Sequence, residues 1–376
     1  MYGRVALLPV TTLRLAGRHL VPLTLWFSVG YLARYVLTWT GVTVGHGDHE
    51  GLRRVAATLV FTALVTVTLA TVIGMLSVLR RPEDESLIGA ICRALFPFVV
   101  IYLAWGMYKD DVRAFLRADV ERNLYSAAHG SVAGRALFNN LWMALIAVAV
   151  AWVLKLLLEP RRERRLVGPV LAYCETAFTL FAVTSVFVLA GKATDWVTTR
   201  RIWPASIDLS GPTPDYGLGA VTLPLVWLAM AAVACGVGFE VDDHKAALEG
   251  TRLQRFAEKG DRSKVLVAVT ADSRERWVPL IQAIRLILRA GAPALGLFCL
   301  CYVAVDAAAA YGFRGALHLI GPDHDPAAWK PILVPLEFAR ELLRTVLHVA
   351  LLAAAVGLAS EVSDGTAAPE PDPVPA

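Results

Sequence analysis

The sequence predicts an all-α fold, a polytopic integral membrane bundle of about eight transmembrane helices arranged as repeated helical hairpins, with both termini cytoplasmic. Three observations carry this. Apolar runs of about 18 residues or more, the length a helix needs to cross a bilayer, recur along the chain. Only 18% of the 376 residues are charged and 56% are hydrophobic, with a mean hydropathy of +0.55, whereas ordinary globular chains carry roughly 25% charged residues. Basic residues also gather on alternate connections, as the positive-inside bias requires.

The expected spans lie at about 20–40, 55–79, 87–107, 137–158, 166–191, 217–239, 290–312 and 332–359. Val55 to Leu79 contains no charge at all. The first run is interrupted by Arg34, and the last is charged through its first half. The run that follows the basic N-terminal region is longer than a signal-peptide core of roughly 7–15 residues. No small-residue cleavage site follows it, so the first helix is expected to remain uncleaved. Residues 1–362 form the bundle. Residues 363–376, ending Pro-Glu-Pro-Asp-Pro-Val-Pro-Ala, are an acidic, proline-rich tail expected to be disordered.

Orientation follows from arginine and lysine. With the N-terminus inside, cytoplasmic segments hold 17 of them and outer segments 12, which favours N-in, C-in. The strongest local signals are Arg161-Arg-Glu-Arg-Arg165 and the basic loop 240–277. Arginine far outnumbers lysine, which suggests a GC-rich bacterial genome and hence the inner membrane of a bacterium. Two connections are amphipathic. Tyr108 to Tyr125 places Val112, Phe115, Leu116 and Val120 on one helical face, the pattern of an outer interfacial helix. Trp277, Leu280, Ile281, Ile284 and Leu288 repeat it on the cytoplasmic side. Residues 192–216 are a turn-rich outer loop.

An arginine followed four residues later by proline heads four apolar runs: Arg18 to Pro22, Arg93 to Pro97, Arg165 to Pro169 and Arg289 to Pro293. A fifth pair, Arg200 to Pro204, falls in an outer loop. Proline suits a first helical turn because its missing N–H has no partner there. Arginine at an inner mouth can reach the headgroups. The four pairs therefore read as structural cytoplasmic anchors. Helices one and seven share more: Arg14, Leu15, Arg18, Pro22, Phe27, Tyr31 and Ala33 recur at a constant offset as Arg285, Leu286, Arg289, Pro293, Phe298, Tyr302 and Ala304. This pattern fits either a parallel repeat of hairpins or independently acquired punctuation.

Ionisable groups at membrane depth are costly, so each marks a candidate site with a partner to be found. The last span has the densest set. Glu337, Glu341, Arg344 and His348 follow i, i+4, i+7, i+11 spacing on one face, with Arg340 on its flank. At 1.5 Å per residue, Arg34 and Asp306 lie roughly 18–20 Å beyond Pro22 and Pro293. The antiparallel last helix brings Glu337 and Glu341 to a similar level. The expected site is thus one outward-opening network of Arg34, Asp306, Glu337, Arg340, Glu341 and Arg344, with His348 below. Glu175 lies closer to the inner side and is a second, separate candidate. Pro331 and Pro335 are expected to make the outer end of the last helix irregular.

No cofactor is implied. The five cysteines stand in apolar runs without a CxxC pair, so neither a metal site nor a disulfide framework follows. The metal-ligand residue types in His46-Gly-Asp48-His49-Glu50, with His324 as a distant complement, and in Asp242-Asp243-His244 read more simply as solvated turns and a helix end. A net charge of +4 without arginine–aromatic interleaving argues against nucleic acid. No nucleotide-binding or hydrolase motif is found. Three functions fit: small-solute or ion transport without an ATPase of its own, a membrane scaffold docking a cytoplasmic protein through 240–277, or an intramembrane enzyme on a lipid-linked substrate using Glu175 or Glu337/Glu341. Transport accounts best for charge buried within spans. The bilayer is the one partner all three share, and no catalytic residue is assigned.

Overall fold

A computed structural model of the chain describes residues 6–45, 50–80, 87–104, 108–123, 141–158, 167–198, 216–235, 292–321 and 326–364. These residues are helical, with no strand among them. In chain order the helices are α1 (Leu8–Arg18), α2 (Leu20–Val44), α3 (Glu50–Leu79), α4 (Leu87–Ala104), α5 (Tyr108–Asn123), α6 (Leu141–Leu158), α7 (Val167–Thr198), α8 (Tyr216–Ala234), α9 (Ala292–Ile320) and α10 (Pro326–Asp364). Four stretches are long and apolar enough to cross a membrane: Leu20–Val44, Val55–Leu79, Pro293–Ile320 and Pro331–Leu358. Helices α6, α7 and α8 carry shorter apolar stretches, Ile146–Leu158, Val167–Ala182 and Leu223–Ala232. This is a helical protein with four candidate spans, and its apolar exterior supports a membrane setting. Val21, Leu25, Val29, Leu32 and Val36 form an exposed stripe along α2, all at least half exposed. Contiguous apolar surface of that kind is unfavourable in water and natural in lipid.

The chain divides into two compact units, each described separately. One contains Val21–Met75 and Asp84–Leu223. Within it α2 and α3 run antiparallel at close range. A Cβ at Gly30 would overlap the Thr71 side chain, and one at Gly74 would press on the Trp26 ring at 3.2 Å. Glycine is needed there because the backbones approach too closely for a side chain. The threonines of α3 stay compatible with an apolar setting by donating to the carbonyl one turn earlier, as Thr62 does to Thr58 and Thr66 to Thr62. Helix α7 packs against α4 and α6. Ala151, Ala177 and Phe181 form the core of its contact with α6, and the Tyr173 hydroxyl donates to the Leu59 carbonyl at 3.0 Å.

The other unit contains Met1–Leu20, Leu76–Glu83 and Pro224–Ala376. Its centre is α10, which packs against α1 and α9. Val346, Val349, Ala350, Leu351, Leu352, Ala353 and Val356 are its buried face. Helix α1 buries Leu8, Thr12 and Ala16, spaced i, i+4, i+8 on one face, and Thr12 caps its own hydroxyl on the Leu8 carbonyl. The sequence reading gave no helix before residue 20. At 11 residues, α1 is too short to show as an apolar run, and it depends on α10 to cover its face.

Three further details differ from expectation. Pro22, Pro169 and Pro293 do stand in the first turns of α2, α7 and α9, but Pro97 lies well inside α4, which begins at Leu87. The Arg93–Pro97 pair is therefore no helix mouth, since α4 has already run more than a turn before Arg93. The last helix starts at Pro326 and continues through Pro331 and Pro335. Both prolines remove an i−4 hydrogen bond without ending it. Finally, α5 does not bury the apolar stripe read from its sequence: Phe115 and Asp119 are buried, while Val120 is 48% exposed. Phe115 of that stripe packs edge-on against Phe61 of α3. Residues 46–49, 240–277 and the tail beyond Asp364 lie outside the described residues, as do Arg165, Arg289 and His324.

Candidate functional site

Helices α9 and α10 position most of the charged residues singled out above. Both run through candidate spans and pack antiparallel, so Tyr302 meets His348 and Asp306 meets Arg344 one turn further along. The Arg344 Nε donates to Asp306 Oδ1 at 2.6 Å, and its Nη1 lies 3.5 Å from Glu341 Oε2. Arg340 closes the outer end of this ladder. Its Nη2 is 2.8 Å from Glu341 Oε1, and its guanidinium sits 4.8 Å above the Phe313 ring. Two guanidiniums thus alternate with two carboxylates, a neutral arrangement suited to low dielectric.

At the inner end, His348 is buried. Its Nε2 lies 3.3 Å from the Tyr302 carbonyl oxygen and 3.7 Å from Asp306 Oδ1. Its ring stacks on that of Tyr302 with centroids 4.1 Å apart. Both neighbours of Nε2 accept hydrogen bonds and neither donates, so Nε2 carries the proton and Nδ1 carries the lone pair. Side-chain exposure is 33–42% at Glu341, Asp306 and Arg344 and drops to 11% at His348. The drop comes in one step, at the imidazole.

The structure brings together Asp306, Arg340, Glu341, Arg344 and His348. Glu337 shares their face one turn outward, is exposed, and makes no ion pair among the described residues. Arg340 takes Glu341 and the Phe313 ring as partners. Arg34 has a different partner from the expected one: its Nη2 holds Asp111 Oδ1 of α5 at 2.7 Å. The Tyr102 hydroxyl donates to the other oxygen of the same carboxylate. Glu175 sits half-buried in α7, apart from this pair, with Thr179 donating to its carbonyl. Of the anchor residues, Arg18 is the exposed last residue of α1.

Asp111, Tyr102, Asp119 and Tyr302 were missed. Asp111, Phe115 and Asp119 are spaced i, i+4, i+8, and that regularity of two acids around an aromatic was the available signal. It was masked by the stronger apolar pattern of Val112, Leu116 and Val120. Among the described residues no group of three or more His, Cys, Asp or Glu is placed to hold a metal ion. Comparison with family models, curated proteins and solved structures finds no match. The class the fold defines is therefore as far as identification goes: a helical protein with helices fit to cross a membrane and an internal ion-pair ladder.

Proposed function

We propose that this chain is a multi-pass protein of a bacterial inner membrane, N-in and C-in with about eight spans, that carries a small solute or ion without its own ATPase. The observation that supports this reading best is the Arg340–Glu341–Arg344–Asp306–His348 ladder within two candidate spans. Charges at membrane depth are expensive, and they are commonest where they line an ion or substrate path. A row of partly exposed charges ending on a buried imidazole is an arrangement such a path can use. The duplicated hairpin belongs to the same proposal. Phe27 and Tyr31 pack with ring centroids 5.9 Å apart, and the offset pair Phe298 and Tyr302 at 6.3 Å, both tilted. Transporters are often built from such repeats.

Water access tests the path. In a variant whose native cysteines are replaced, single cysteines at Glu337, Glu341 and His348 are treated with a membrane-impermeant maleimide in vesicles. Labelling is expected to be fast at 337, slower at 341 and lowest at 348. Uniform protection would make the ladder a dry structural lock. In parallel, liposomes containing the wild type should pass at least one of a panel of ions and small solutes faster than those containing Arg344→Leu. A wild type indistinguishable from empty vesicles throughout would sink the transport reading. Reporter fusions at both termini check the orientation: a cytoplasmic-type signal at both is expected.

A further inference from the structure

We propose that His348 and Asp306 form a proton-exchange site, which makes the proton the coupling ion of the transport reading above, on which this inference rests. Four observations meet at the imidazole. Its Nε2–H faces two acceptors, the Tyr302 carbonyl at 3.3 Å and Asp306 Oδ1 at 3.7 Å. Its Nδ1 engages none of the described residues, which leaves a basic lone pair in a buried place without a partner among them. Its ring lies flat on Tyr302, whose π face attracts an imidazolium more than a neutral imidazole. Carboxylates stand in a row beside it, Glu337 exposed, Glu341 33% and Asp306 36% exposed, against 11% for the imidazole.

The step balances simply. A proton bonds to Nδ1 as the O–H bond of its donor, a water-borne hydronium or a protonated carboxyl, breaks and leaves its electron pair on that oxygen; the imidazole gains one positive charge. Asp306 Oδ1 is then shared between two cations, Arg344 at 2.6 Å and His348 at 3.7 Å. Asp306 swings toward the imidazolium, and Arg344 shifts its weight to Glu341, whose carboxylate waits at 3.5 Å. Loss of the proton reverses the exchange. Among the described residues, the groups facing His348 are engaged in this trade: Tyr302 and Asp306 from α9, Glu341 and Arg344 from its own helix. Helix α1, also packed on α10, presents only Leu8, Thr12 and Ala16 and adds no ionisable group. A sodium ion fits poorly, because it needs a cage of oxygens and no cluster of metal-ligand side chains surrounds the imidazole among the described residues.

The test reads protonation directly and does not depend on flux. Full-length protein with nitrogen-labelled histidine is placed in lipid bilayers, and its imidazole resonances are followed by solid-state NMR between about pH 4 and 9, the range in which an ordinary histidine changes charge. One resonance, assigned by its loss in His348→Gln, should start as the Nε2–H tautomer and become doubly protonated at the acid end. In Asp306→Asn the charged fraction of His348 at matched pH should fall about tenfold, the size of one carboxylate's effect at this range. Asp306→Glu, which keeps the charge, should restore most of it and covers the case that the asparagine variant folds poorly. A His348 that stays neutral throughout, that begins as the Nδ1–H tautomer, or that titrates identically without Asp306 would overturn the proposal. So would a titration that moves with sodium concentration, which would assign the site to that ion. Because protonation and flux are measured separately, a failed transport assay and a failed proton site remain distinguishable.

Discussion

The α2/α3 hairpin and the α9/α10 hairpin are each made of two helices apolar enough to cross a bilayer, yet they are held by opposite means. In the first, glycine lets backbones meet: Gly30 against Thr71 and Gly74 against Trp26 leave no room for a side chain. Its ion pair between Arg34 and Asp111 points away from the hairpin to clasp α5. In the second, Gly312 and Gly315 of α9 meet nothing within 4 Å, and the seam is instead a ladder of charges. Steric closeness gives a rigid contact with a single arrangement. A row of ion pairs gives a contact whose members can exchange partners, which a site that takes up and releases an ion needs.

The contrast can be broken most sharply at its glycines. Gly30→Leu should lower stability by about 3 kcal/mol, because the new side chain forces α2 from α3. Gly312→Leu should change it by less than about 0.5 kcal/mol, since it points into open space. Thermal unfolding in detergent, read by size-exclusion recovery, checks both, and equal effects would erase the distinction. Next in size is the ladder. Arg344→Leu leaves Asp306 without its guanidinium and should cost about 1–3 kcal/mol, discounted because both side chains are more than a third exposed. Arg344→Leu with Asp306→Leu should recover most of that loss while abolishing any transport, so that stability and activity part company. The clasp comes third: a double-mutant cycle on Arg34→Leu and Asp111→Leu should give a coupling of about 1 kcal/mol. A transport assay should leave these variants near wild type, since the clasp is a lock. Smallest is Arg122, whose guanidinium lies 4.8 Å over Trp39. Arg122→Ala should cost about 0.5 kcal/mol and shift the Trp39 fluorescence.

Much of this was legible in one dimension. Periodic apolar length exposed the helices, because a bilayer sets a minimum span and helical backbone satisfies itself within it. The i, i+4, i+7, i+11 spacing put Glu337, Glu341, Arg344 and His348 on a common face, and depth counting from Pro293 put Asp306 at their level. Partner choice was not legible. Arg34 matched Asp306 in depth and sign, but its carboxylate comes from α5, a helix read only by its apolar face. Arg340 could reach Glu337 or Glu341 by spacing, and only packing selected Glu341.

By itself, then, the sequence determined that the chain is helical, where its apolar helices lie and which charges share a face, because these depend on local period and on length. Only the tertiary structure decided that Pro97 stands inside α4, that α5 buries Asp119 rather than Val120, and that Arg34 belongs to Asp111 while Asp306 belongs to Arg344 and His348. Those outcomes depend on which surfaces meet. An ion pair between residues 38 or 77 positions apart is set by helix packing, which no periodicity along a single segment encodes.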